Sequence, residues 1–180
     1  ILSALNVKKG ARGTLHANVD LSGHHAGFRD FLSSMNGSAT VSMHGGSIDT
    51  QLLDVAGLGV IPWLFHKKPG KTAPITCLRA PLYVSGGKVT TKQSVVETDL
   101  VQLVVYGDVN YRAGTLNVNG QPRRIGKPLS RSPWPFTARG SLKKPDIKVK
   151  DGPRKLKRRD GASTMPRRRK PCVPDILQLK

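Results

Sequence analysis

The residues of this chain that could do chemistry are few, and their spacing decides what they can do together. His24 and His25 are adjacent, so on a strand their side chains diverge and on a helix they stand about 100° apart. Neither geometry offers two imidazoles to one metal ion. His16 and His44 fall among Thr, Asn and Ser at polar positions, where solvated histidines are the plainer reading. Glu97 and Asp99 are near enough in sequence for an acid–base pair, but two carboxylates alone specify no reaction. Asp49, ahead of an apolar run, reads as a helix cap for free amide donors. No Gly-rich phosphate loop ends in Gly-Lys-Ser/Thr, no GxGxxG links a strand to a helix, and HExxH and GxSxG are absent. Catalysis is therefore not expected, and no metal or cofactor is implied. Cys77 and Cys172 match no zinc or redox spacing, which leaves open whether they pair.

Charge is the strongest bulk signal. Thirty Lys and Arg oppose eleven Asp and Glu, a formal net charge of +19 over 180 residues. This predicts attraction to polyanions: nucleic acid, anionic lipid headgroups or acidic polysaccharide. The cations gather after Asp151, where the candidate polyanion contacts are Arg154, Lys155, Lys157, Arg158, Arg159, Arg167, Arg168, Arg169 and Lys170. That stretch has no Phe, Tyr or Trp to stack a base and little apolar periodicity. Residues 151–180 therefore read as a disordered basic tail. An anionic membrane surface, at roughly 1 kcal/mol per basic residue, suits it better than nucleic acid.

Most of the remaining chain, 1–150, alternates with a period of two. Leu15, Ala17, Val19 and Leu21 interleave with polar residues, as do Val41 and Met43, Leu82 and Val84, Val101, Leu103 and Val105, and Leu116 and Val118. Successive strand side chains point to opposite faces, so this pattern predicts a sheet with one apolar face and one polar face. SGGK at Ser85–Lys88 and YRAGT at Tyr111–Thr115 read as hairpin turns, which favours an antiparallel order. Two helices are expected. GFRDFLSSMNG places Phe28, Phe31, Leu32 and Met35 on one face, with Asn36–Gly37 as its stop, and a second runs from Leu52. The stretch LLDVAGLGVIPWLFHKK, Leu52–Lys68, is shorter than the roughly 18 apolar residues of a spanning helix and contains Asp54 and Pro62. It reads as a core helix on the sheet, with Trp63, Leu64 and Phe65 capping a groove or entering a membrane interface beside Lys67 and Lys68. The fold expected is mainly β of the α+β class: a curled antiparallel sheet with two short amphipathic helices, groove-like on its apolar side.

The succession FRDFLSSMNGS, ATVSMHGGSIDT, LLDVAGLGVIPWLF, ITCLRAPLYVSGGKV, VVETDLVQLVVYGDVNY, TLNVNGQP and SPWPFTARGSLKKPDIKV resembles the carboxy-terminal domain of the AsmA family of envelope proteins. The resemblance covers Leu2 to Lys150. It implies a periplasmic body anchored in the inner membrane of a diderm bacterium and a part in outer-membrane biogenesis. It also implies kinship with bridge-like lipid carriers, whose curled sheets form an apolar groove. A non-enzymatic role in phospholipid handling follows, with no catalytic residue to carry over. The Arg-rich tail departs from the family pattern. The chain opens within a pattern at ILSALNVKKG and reads as part of a longer protein, with the anchor outside it. On the resemblance, the wall of a lipid groove would be Leu15, Val19, Val41, Leu82, Val84, Val101, Leu103, Val105, Leu116 and Val118. The expected partners are phospholipid, an anionic membrane surface and other envelope proteins. Two alternatives stay open: nucleic-acid binding through the tail, and a scaffold that pairs with partner proteins along its sheet edges.

Overall fold

The computed structural model describes residues 12–24, 27, 31, 33–49, 72–99, 101–125, 135–149 and 170–173. Ten strands are formed: β1 (Leu15–Ser22), β2 (Asn36–His44), β3 (Ser47–Asp49), β4 (Thr72–Pro74), β5 (Cys77–Ser85), β6 (Lys88–Glu97), β7 (Val101–Asn110), β8 (Thr115–Arg124), β9 (Phe136–Ser141) and β10 (Pro145–Val149). Eight of them make one antiparallel sheet in the order β1-β2-β5-β6-β7-β8-β9-β10. The order follows the chain except where β3 and β4 leave the sheet to pair with each other. Among the described residues the sheet is open, because β1 and β10 stand at its two edges and do not pair with each other.

Three hairpin turns sit side by side along one end. Gly86 and Gly87 have φ of 56° and 79°, so both central residues of the β5–β6 turn are left-handed, the geometry of a two-residue primed turn. The β7–β8 turn is Tyr111–Gly114, where Asn110 Oδ1 accepts from the Ala113 amide at 2.8 Å. Backbone bonds join neighbouring turns: the Tyr111 amide donates to the Gly87 carbonyl and the Leu142 amide to the Gly114 carbonyl, each at 2.9 Å.

β6 carries a bulge. Thr91 pairs with Gly107 and Ser94 with Val105, so three steps on β6 face two on β7. The slip lies beside Pro81 of β5, a residue with no amide to give a central strand. Thr91 Oγ1 donates to the Pro81 carbonyl at 2.8 Å and sits 2.8 Å from Ser94 Oγ, so the crease is closed by hydroxyls. Further along, Phe136 of β9 pairs with Gly120 of β8, and its ring fills the space a Cβ at position 120 would need. Gly120→Ala is expected to lower stability by about 1–3 kcal/mol through this overpacking. A thermal melt unchanged from the parent would show that the ring swings aside freely.

The sheet confirms the expectation of a mainly β fold. The two helices are not confirmed among the described residues. Phe31, Ser33 and Ser34 are helical, but the rest of that expected helix is not described, and Leu52–Lys68 lies outside the described residues altogether. Asp49, expected to cap the second helix, instead ends β3 opposite Thr72. The helix that it was expected to cap lies outside the described residues.

Candidate functional site

The register places one long apolar surface on one side of the sheet. Leu15, Met43, Leu78, Val96, Leu103 and Pro122 form a row across six strands. Val84, Val89, Val109 and Leu116 form another near the hairpin turns. Between and beside them lie Val19, Val41, Leu82, Val105, Val118 and Ala138. The bulge is what aligns β6 with this surface. Val89 and Val96 are seven residues apart and would oppose each other in a regular strand, but the extra residue turns both to one side. The two hydroxyls that fall here, Thr91 and Ser94, are occupied with each other and with the Pro81 carbonyl. All ten groove candidates share this face by register, although their exposure differs. Val84 and Val101 are buried, Val41, Leu82, Leu103, Val105, Leu116 and Val118 are half-buried, and Leu15 and Val19 on the edge strand are 58% and 62% exposed. An apolar surface of this continuity can hold hydrocarbon by burial alone, at about 25 cal/mol per Å².

The opposite face is polar over most of the sheet, with His16, Asn18, Ser42, His44, Asn117 and Asn119 among its residues. At the end away from the turns it is covered. Cys77, Glu97, Gln102 and Arg123 form a row across four strands, every one of them at 3% exposure or less. Val95 and Val104 lie one row further in and are also buried. Over this row Cys172 is disulfide-bonded to Cys77, with 5.6 Å between the Cα atoms. Gln102 sits at the centre of the contact: its Nε2 donates to Glu97 Oε2 at 2.8 Å and to the Val173 carbonyl at 3.1 Å. The segment Lys170–Val173 thus straps the polar row, although it belongs to the stretch read as a disordered tail.

Sequence reasoning missed this second buried cluster. Its signal was present in Val95 and Val104, which stand out of phase with the alternation and so require a cover on the polar side. Glu97 and Asp99 are not brought together as a pair of acids. Glu97 is buried against Gln102, while Asp99 is exposed in the β6–β7 turn. That turn is closed by Thr98, whose hydroxyl accepts from the Val101 amide at 3.0 Å. Among the described residues no three His, Cys, Asp or Glu side chains converge. Also among them, no helix is long and apolar enough to cross a membrane. Of the tail cations only Lys170 is described, and it is exposed. The other nine, Lys180 among them, lie outside the described residues, as do Trp63, Leu64, Phe65, Lys67 and Lys68.

No protein-family model matches the chain, and no solved structure matches it. A curated protein does: the chain is 22% identical over 142 residues to the AsmA family protein YhjG of Escherichia coli (strain K12). The alignment takes in 78% of this chain and 21% of that protein, so the chain spans about a fifth of the length of the curated relative it matches. The likeness to this AsmA family protein thus runs through most of the chain at low identity, and the chain's own structure is an open antiparallel sheet whose apolar side runs from edge to edge.

Proposed function

We propose that the apolar face binds the acyl chains of phospholipid and that the chain is a non-catalytic, lipid-handling part of an envelope protein. In this reading it is the carboxy-terminal part of an AsmA-type bridge between inner and outer membranes. The observation that carries the reading is the continuous apolar face, which remains half-exposed through its middle and open at Leu15 and Val19. Each methylene buried there contributes about 0.8 kcal/mol, so two tails outweigh the cost of ordering one lipid. The Cys77–Cys172 bond favours an oxidising compartment, which agrees with a periplasmic body. The anchor, the outer-membrane role and the envelope partners belong to this proposal.

The test is mass spectrometry of an organic extract of the purified 180-residue chain, so that Cys172 is retained. Stoichiometric phospholipid is expected in the parent. Leu103→Asp places a carboxylate among the tails and should reduce occupancy about tenfold or more while circular dichroism still reports a sheet. Val19→Asp at the open edge gives a second variant that cannot unfold a core. A folded parent free of lipid would sink the proposal.

A further inference from the structure

The three joined turns make a rim whose charge is one-sided. Arg112, Lys143 and Lys144 are exposed on it. The carboxylates within reach are engaged: Asp108 pairs with Lys88 at 3.3 Å and Asp146 with Lys148 at 3.0 Å. Counting the residues within four positions of the turns, six cations face these two carboxylates. The rim also presents Tyr111, 56% exposed; Tyr83, 52% exposed, stands two strands away on the polar face. Exposed tyrosine among Lys and Arg is the composition that settles at a membrane–water interface. Directly behind the rim stands the row Val84, Val89, Val109 and Leu116, the last row of the apolar face. The strapped end lies nine residue steps away along β7, or roughly 31 Å.

We propose that this rim docks on an anionic phospholipid bilayer, so that the apolar face opens directly onto the lipid layer it serves. The inference rests on the reading of that face as a lipid-binding surface and adds where it meets a membrane. Anionic headgroups complement the free cations, Tyr111 occupies the interfacial depth, and an acyl chain reaches Val109 and Leu116 without crossing a charged side chain. The backbone bonds between turns keep the three in one front, so the contact needs no ordering step.

The test must separate the rim from the basic tail. In the 180-residue chain, the ten tail cations Arg154, Lys155, Lys157, Arg158, Arg159, Arg167, Arg168, Arg169, Lys170 and Lys180 are first replaced by glutamine. Partition is then measured by co-sedimentation with mixed phosphatidylglycerol–phosphatidylcholine vesicles and with pure phosphatidylcholine vesicles. The parent of this series should prefer the anionic vesicles. Adding Arg112→Gln, Lys143→Gln and Lys144→Gln should weaken that partition roughly 100-fold, at about a factor of five for each cation. Tyr111→Ala should lower binding to both vesicle types, with the thermal melt unchanged. Unchanged partition in the triple variant would overturn the proposal, as would equal binding to neutral vesicles. Rim-dependent capture of a single-stranded oligonucleotide with no vesicle binding would also overturn it. Lipid content of the same preparations, read by mass spectrometry, tests the groove separately, so failure of one reading is distinguishable from failure of the other.

Discussion

Cys172→Ser should lower the melting temperature by about 10–15 °C, and a dithiol reductant should do the same to the parent. The bond joins residues 95 positions apart. In the chain-entropy account a loop of that size is worth roughly 4–5 kcal/mol, near the top of the usual range. For a chain of this length each kcal/mol moves the midpoint by about 2–4 °C. The cover also matters, because the strap keeps water from Gln102, Glu97 and Arg123, residues with almost no exposure. The measurement is a circular-dichroism melt with and without reductant. A C172S variant that melts within a degree or two of the parent would show that the strap adds nothing to the fold. This also bears on how the tail is removed in any experiment. A truncation at residue 150 deletes Cys172 along with the basic run, so charge replacement is the cleaner way to silence the tail.

Gln102→Glu should cost about 3–5 kcal/mol, although the two side chains are nearly the same size. In the parent the amide donates two hydrogen bonds, one to the Glu97 carboxylate and one to the Val173 carbonyl. A carboxylate in its place turns both contacts into acceptor against acceptor, in a site closed to solvent. The new charge is buried beside the Glu97 carboxylate, and the Arg123 guanidinium opposite position 102 in register offsets only part of that repulsion, which places the change among the few single substitutions with effects this large. Gln102→Met is the comparison, since it loses the two bonds but introduces no repulsion and should cost about 1–3 kcal/mol. Urea denaturation of both variants distinguishes the terms. Equal loss in the two would mean that the bonds, rather than charge, dominate the row.

The alternation of β1, β2, β5, β7 and β8 was legible because each strand is regular and its apolar side chains share one face. The two glycine turns were legible for a related reason: Gly86, Gly87 and Gly114 take left-handed φ without the steric cost that other residues incur. β6 was harder to read. Its apolar positions change phase in the middle, and nothing in KVTTKQSVVE marks Lys92–Gln93 as the inserted step. Strand β3 was hidden because three residues carry no period. That the ten candidates share one face was recoverable from pattern alone, which orders side chains along a strand. The strapped row was not, because Cys77, Glu97, Gln102 and Arg123 meet only through the register of four strands. Their cover arrives from 95 residues away, and no local rule connects Val173 with Gln102.

That same separation sets a schedule for assembly. Chains are made at about 5–20 residues per second, so Cys77 precedes Cys172 by roughly 5–20 s. Throughout that interval β5 carries a thiol whose partner has not been made, and any other thiol present is a competing partner. Antiparallel neighbours that follow in chain order give a defence, because β6 to β8 can close around Cys77 before Cys172 arrives. The last bond to form would then seal a sheet already built, and a slow sheet would show itself as mixed disulfides at Cys77.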